Sequence, residues 1–292
     1  MTSTESTGSG NVTRSLELLW GSGERPSRGP KPGLTLDRIV TTAVALADAE
    51  GLDAVSMRRL STELGTGTMS LYRYVPGKAE LIDLMLNQVQ GETAAPAESP
   101  DADADSHSAP GSAPGTGTGW RAAAEAMAHD VLALHQRHPW LLSVNQARPV
   151  LGPNSVSGLE RKLAAIKGMG LTDPELISVI IMVEGYVSGV ARTHVHAVEA
   201  EKKSGITDQE FWQAQEPVLS KAMTSGVYPV MAAMSEEAFA PEFDHFAFGL
   251  QRILDGLEVL VERRAAEGGT TERGKAQQGK AQQGKAGPGE AR

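Results

Sequence analysis

Apolar residues in this chain recur at one spacing. From Thr35 onward Leu36, Ile39, Val40, Ala43, Leu46 and Ala47 follow the i, i+3, i+4, i+7 pattern of a helix with one buried face. The same period returns through residues 120–267, and no stretch alternates apolar and polar residues as a half-buried strand would. The chain is therefore expected to be all-α. Helix punctuation agrees. Thr35 is placed as an N-cap, Asp37 favours the first turn and Gly51 stops the helix. Ser56 caps a short helix, MRRLSTEL, that ends at Gly65, and MSLYRYV follows within a few residues. KAELIDLMLNQVQ after Pro76-Gly77 turns Leu81, Leu84, Met85 and Val89 to one side.

Composition divides the chain. Its 292 residues include 32 Gly and 16 Pro, concentrated in three stretches poor in large apolar groups, which cannot bury enough surface to fold alone. Residues 1–33 read as a mostly disordered basic arm, with a small apolar cluster at Leu16, Leu18, Leu19 and Trp20 able to dock or form a partial helical turn and with Arg25, Arg28 and Lys31 set among Gly and Pro. Residues 34–90 form a first domain. Residues 91–119 are an acidic low-complexity linker without Lys or Arg. Residues 120–267 form a larger helical domain, with helices expected near 120–137, 156–168, 173–200, 208–224 and 242–266. Ser157/Glu160, Thr172/Glu175 and Thr207/Glu210 have capping-box spacing. Residues 268–292 repeat GKAQQ and read as a disordered tail.

Several function classes drop out. The chain has no cysteine, which excludes disulfide frameworks, thiolate metal sites and a Cys nucleophile. The first residues lack a basic and then apolar signal. The apolar run around Ile177–Val183 is stopped by Glu184, too short to span a bilayer. A soluble, cytoplasmic protein with no membrane partner is expected. The formal net charge of −9 argues against a generic nucleic-acid coat, but local charge decides DNA binding.

That local charge sits in Ser56–Lys78. Two short helices across a tight Gly turn make a helix-turn-helix pattern. The second helix of such a pair presents its N-terminal residues to base edges in the major groove. Here these are Thr68, Met69 and Ser70, two hydroxyls and a thioether. Arg58, Arg59, Arg73 and Lys78 face one acid, Glu63. Tyr72 and Tyr74 alternate with Arg73, so that phenol and guanidinium groups can reach phosphates. A short-helix bundle with a solvated charged face is the alternative on pattern alone.

The stretch TLDRIVTTAVALADAEGLDAVSMRRLSTELGTGTMSLYRYVPGKAELIDLM resembles the N-terminal domain of the TetR family of transcriptional repressors. Its marks are A-x-x-L-A-D-x-E-G, S-M-R-R-L, G-x-G-T-M-S-L-Y-R-Y-V and G-K-x-E-L. Residues 120–262 more loosely resemble a tetracycline-repressor-type C-terminal domain, through RHPWLL and LGPN. The resemblance implies a helix-turn-helix head on a larger ligand-binding and dimerisation domain. It implies that Arg58 reaches the groove edge or a phosphate, that Thr68, Met69 and Ser70 face bases, that Tyr72, Tyr74 and Lys78 hold phosphates, and that Leu71 and Val75 are core. It also implies a homodimer built on the last two long helices, double-stranded palindromic operator DNA as partner, and a small-molecule effector that releases it. The stripe Phe243, Phe246, Leu250, Ile253, Leu257, Leu260 is expected to supply part of that interface, Leu250 and Leu257 included. The long linker, the extended arm and the repeat tail depart from the family pattern.

Effector chemistry is less legible. Trp140, Asn145, Gln146, Met182 and Tyr186 are pocket-lining types, polar groups among apolar walls, and a satisfied core is the competing reading for each. His194 and His196 point to different faces, and His135 and His138 sit at a helix end before Pro139, so no metal site and no cofactor is assigned. Neither tetracycline nor magnesium is carried over. Ser188 in GYVSG lacks a nucleophile-elbow frame. The G-x-x-x-x-G-K matches in the tail lack the following Ser or Thr. The chain is read as a ligand-responsive repressor and not an enzyme. The alternative is a helical small-molecule-binding or enzymatic domain with a vestigial head.

Overall fold

The computed structural model describes residues 5–21, 33–94, 119–239 and 243–283. Arg25, Arg28, Lys31 and most of the 91–119 linker lie outside the described residues.

The head is built from α2 (Leu36–Glu50), α3 (Met57–Glu63), α4 (Thr68–Tyr72) and α5 (Lys78–Gln90), preceded by α1 (Val12–Trp20). Capping follows the sequence. Thr35 accepts from the Arg38 amide at 3.1 Å, and Ser56 accepts from the Arg59 amide at 3.2 Å, satisfying donors that a helix start leaves orphaned. Gly65 takes φ 63°, a left-handed conformation open to glycine without strain. That sharp turn sets α4 across α3. Ile39, Leu60, Leu71, Val75, Leu81, Ile82 and Met85 are fully buried between these helices, and each contributes on the order of 1.5–3 kcal/mol of transfer free energy.

α5 departs from a one-sided amphipathic helix. Beyond the expected Leu81, Leu84, Met85 and Val89, it buries Glu80, Ile82, Asp83 and Leu86. α1 and the helix Pro153–Ile166 pack on α5 besides α2, and Glu80 and Asp83 accept hydrogen bonds from the segment that carries α1. Where the sequence predicts at most a docked cluster or partial turn in the arm, Val12–Trp20 forms a full helix, capped by Asn11, whose side chain accepts from the Arg14 amide. A short Gly-flanked segment has little helical tendency alone, and it is held by tertiary packing of Leu18 and Leu19 on the head core.

The larger domain comprises α6 (Gly119–Arg137), α7 (Pro153–Ile166), α8 (Asp173–Ser204), α9 (Asp208–Thr224), α10 (Pro229–Ala232) and α11 (His245–Gln283). No strand occurs among the described residues. Capping boxes form at Thr172/Glu175 and Thr207/Glu210. Ser157/Glu160 forms none: Pro153 starts α7 earlier, with Gly152 as N-cap, and Asn87 of α5 accepts from the Asn154 amide at 3.0 Å. The last helix continues past residue 266 into the repeat.

α6, α8 and α11 share a core with Ile166 and Met169. Trp120, Ala124, Val183, Val187, Leu250, Leu254 and Leu257 belong to it. Leu250 and Leu257 therefore serve this chain's own core and do not form the two-fold seam expected of them. α8 is long and apolar enough by composition to cross a membrane; Leu176, Val179, Ile180, Val183, Val187 and Ala191 are buried within the protein, while Ile181 and Met182 are exposed. The turn Pro139–Ser143 inserts Trp140 and Leu141 into the core of the head, fastening one domain to the other.

Candidate functional site

α4 buries one residue, Leu71, and shows the rest to solvent or to its rim. Met69 is 77 % exposed, a large apolar side chain that folding leaves uncovered at the tip of the head. Thr68 and Ser70 flank it half-buried, and the Thr68 hydroxyl donates to Ser61 Oγ at 3.2 Å. That bond fixes the Thr68 rotamer and leaves lone pairs available. Tyr72, Arg58 and Arg73 are exposed. Neither Arg58 nor Arg73 makes an ion pair among the described residues. Arg59, by contrast, is paired with Glu50 and Glu63, at 2.9 Å each. An open cleft of about 510 Å³ lies beside α4, lined by Gly33, Leu34, Thr66, Ser70, Arg73 and Tyr74.

Two of the expected phosphate groups are already engaged. The Tyr74 hydroxyl donates to the Leu34 carbonyl at 3.0 Å and so ties the start of α2 to the end of α4. Lys78, in the first turn of α5, has Nζ 3.0 Å from Glu5 Oε1. Leu71 and Val75 are fully buried.

A second concavity lies inside the larger domain. It is a cavity of about 180 Å³ walled by α6, α8 and α11, with Leu132, Val190, Ala191, Val195 and Phe246 as apolar lining and His135, Gln136 and His194 as polar groups. His135 is 8 % exposed. Its Nε2 lies 3.1 Å from Ser188 Oγ, while its Nδ1 is buried without a hydrogen-bond partner. Burial lowers the His135 imidazole below its ordinary value, because desolvation disfavours the charged ring. Tyr186 supports the wall: its ring stacks on Phe246 with centroids 6.1 Å apart, and its hydroxyl donates to the His245 and Phe246 carbonyls at 2.8 and 3.0 Å. Burial raises the Tyr186 phenol above its usual value.

Known proteins resemble the chain along both domains. Residues 39–85 match the family described as bacterial regulatory proteins, tetR family, and residues 113–261 match the tetracyclin repressor-like C-terminal domain. The HTH-type transcriptional repressor DrrR1 of Streptomyces coeruleorubidus is 60 % identical over 265 residues, 91 % of this chain and 92 % of that protein. The chain belongs to the TetR family of transcriptional regulators. Among solved TetR-family structures, apo ActR from Streptomyces coelicolor aligns with 28 % identity and a TM-score of 0.55, over 80 % of this chain and 99 % of that one. ActR in complex with actinorhodin aligns with 27 % identity and a TM-score of 0.59, over 78 % and 96 %.

Within this TetR-family frame, Arg58, Met69 and Tyr72 are exposed on the head and Thr68 and Ser70 are half-buried. The five residues named for the pocket do not come together. Trp140 is buried at the joint, its indole N–H donating to Asp48 Oδ1 at 2.8 Å. Asn145 and Gln146 lie exposed in the following loop, Asn145 hydrogen-bonded to the N-terminal segment. Met182 is exposed on α8. Tyr186 stands behind the cavity wall. The residue that sequence reasoning missed is His135. The i, i+3 pair with His138 was weighed as a metal clamp, but the two rings go separate ways, His135 to the cavity and His138 to the joint.

Proposed function

We propose that the chain represses transcription as a homodimer on a palindromic operator, reading bases with Thr68, Met69 and Ser70 and holding phosphates with Arg58, Tyr72, Arg73 and Lys78. The observation that supports this most is the bare face of α4, where Met69 is exposed between two half-buried hydroxyl side chains, together with Arg58 and Arg73, exposed and without an ion pair among the described residues. Apolar and hydroxyl groups on a short helix suit thymine methyls and base edges. The two arginines suit backbone phosphates.

The effector site in this reading is the cavity at His135. Its lining calls for a ring-bearing, largely apolar molecule with a hydroxyl or carbonyl group set to meet His135 Nδ1, and actinorhodin in ActR is a precedent for an effector in a relative. At about 180 Å³ the cavity is below the usual range for a drug-sized ligand, roughly 300–1,000 Å³, so binding would spread α6, α8 and α11. That movement is what a release mechanism needs, since a ligand shifts an equilibrium only through unequal affinity for the two states. The protein acts by binding and not by catalysis, in the cytoplasm. The dimer face is α9 with the exposed side of α11. α9 buries no residue in the monomer and exposes Phe211, Trp212, Val218 and Leu219, while α11 exposes Phe248 and Val259.

The test is fluorescence anisotropy with a duplex from upstream of the protein's own gene. Salt-sensitive binding is expected, with scrambled DNA bound at least a hundredfold more weakly. Ring-bearing hydroxylated compounds should reverse it in the wild type and lose potency against His135→Leu. Equal affinity for the two duplexes would overturn operator recognition. Undiminished potency against His135→Leu would overturn the cavity assignment.

A further inference from the structure

Residues 5–21 lie across both domains. The Asn145 amide donates to the Glu5 carbonyl at 2.8 Å, and the Thr7 amide donates to the Asn145 carbonyl at 3.1 Å. The Thr7 hydroxyl donates to the Arg148 carbonyl at 2.9 Å. At the other end, the Trp20 indole donates to the Leu151 carbonyl at 2.9 Å. All these acceptors and donors belong to the loop between the joint and α7.

Between its ends the segment is fastened to the head by two buried carboxylates of α5. Glu80 accepts from the Asn11 amide at 2.8 Å. Asp83, 2 % exposed, accepts from the Gly8 amide at 3.1 Å and from the Ser15 hydroxyl at 2.7 Å. Burial raises the Asp83 carboxyl above its ordinary value even against these donors. Carboxylates under a helix are costly unless the covering segment supplies donors, and this segment does. α5 is therefore shaped to receive it.

The docked segment also places a charge. Glu5 Oε1 stands 3.0 Å from Lys78 Nζ, in the first turn of α5. A helix start with an adjacent ammonium group accepts a carboxylate or a phosphate by the same physics. We propose that Glu5–Trp20 is a displaceable strap whose docked form puts Glu5 in the position of a DNA phosphate at Lys78, so that strap docking and operator binding compete. This rests on the reading of Lys78 as a phosphate contact. Because the strap is anchored on the 145–151 loop of the effector domain, a movement of that loop changes the hold of Glu5 on Lys78. The strap thus gives the effector domain a route to the DNA face that does not pass through the linker.

The experiment uses the full chain and a labelled random-sequence duplex, since a phosphate contact is independent of sequence. Glu5→Gln is expected to tighten binding by about threefold to tenfold and to steepen the log–log salt dependence by about one. Lys78→Gln should weaken binding, and adding Glu5→Gln to it should change nothing further. Gly10→Val pries the strap up without touching the DNA face, because a side chain at Gly10 would run into the Glu80 carboxylate and into Ala79 Cβ at 2.9 Å. It should tighten binding as Glu5→Gln does. Hydrogen exchange at the amides of Ser15–Trp20 should quicken when DNA is added. Unchanged or weaker binding by Glu5→Gln, with Lys78→Gln still weakening it, overturns the strap and leaves the Lys78 contact standing. No effect of Lys78→Gln overturns the contact and the strap with it. Glu5→Gln changes a partly exposed pair, so it decides the matter even where Gly10→Val does not fold.

Discussion

Nδ1 of His138 lies 2.7 Å from Oδ1 of Asp48, and that one carboxylate oxygen also accepts the Trp140 indole at 2.8 Å. Asp48 belongs to α2 of the head, while His138 and Trp140 follow α6 of the effector domain. Nε2 of His138 lies 3.1 Å from Glu92 Oε2, which Arg137 also pairs at 2.7 Å. Burial pushes the Glu92 carboxyl up, but the hydrogen bonds from His138 and Arg137 outweigh it and hold the carboxyl below its usual value. The two domains are thus joined by hydrogen bonds of fixed direction, which transmit a rotation of α6 better than a greasy contact would.

Removing the shared acceptor should show this. Asp48→Ala leaves His138 and Trp140 with unmatched polar atoms at a buried joint, at a cost of about 1–3 kcal/mol. Urea denaturation should show a lower midpoint by that amount. Effector should still bind the variant, by calorimetry, yet release operator less completely. Full release at an unchanged effector concentration would show that coupling runs elsewhere.

Base reading and phosphate holding separate by their salt dependence. Arg73→Ala should weaken binding to cognate and scrambled duplexes alike and lower the salt slope by about one. Ser70→Ala should cost about 1–3 kcal/mol on the cognate duplex and relax preference at one or two base pairs. A salt titration on both duplexes measures each effect. Equal losses on the two duplexes for Ser70→Ala would remove it from the base-reading set.

The fold was legible wherever a segment carries its own signal. Thr35, Ser56, Gly51 and Gly65 punctuate the head in the sequence and do so in the structure. α6, α8 and α9 begin within a residue of their expected starts because Thr172 and Thr207 bring their own capping boxes and Gly119 follows a tract without large apolar residues. The signal fails where another segment decides. α7 starts at Pro153 because Asn87, sixty-six positions earlier in the chain, caps it. α1 is held because α5 offers Asp83 and Glu80 to the Gly8 and Asn11 amides before it and to the Ser15 hydroxyl within it. Leu250 and Leu257 show the same limit: a leucine stripe states that one face is buried, not whether its partner is the same chain or a second copy. His135 was visible as a residue, but its orphaned nitrogen is a property of packing that no spacing encodes.

That distinction gives the assembly prediction. Trp212→Glu and Phe248→Glu place charge on surfaces that are exposed in the monomer, so helical circular dichroism should be retained. Sedimentation at micromolar concentration should show monomer, and affinity for a full palindrome should fall. Leu250→Glu buries a carboxylate in the core of the effector domain and should unfold it, costing several kcal/mol. A Trp212→Glu protein that remains dimeric would place the interface away from α9.

His135 predicts a pH dependence. Its pKa in the folded protein lies below the ordinary imidazole value of 6.5. As pH falls from that value towards the folded pKa, the unfolded chain therefore takes up the proton first. Stability contributed by the neutral buried ring is present above about pH 6.5 and is lost as the pH falls through the folded pKa, because the unfolded state then binds more protons. Thermal melts between pH 7.5 and 5 should show a decline that His135→Gln, which keeps a polar group and cannot titrate, makes shallower. Glu175, held down to about 2 by hydrogen bonds from the Thr172 amide and hydroxyl and from Arg264, titrates below this window. An equally steep decline in His135→Gln would assign the window to another group. Filling the cavity should deepen the decline in the wild type, because a ligand hydroxyl that donates to the neutral ring at Nδ1 opposes its protonation and lowers the folded pKa further.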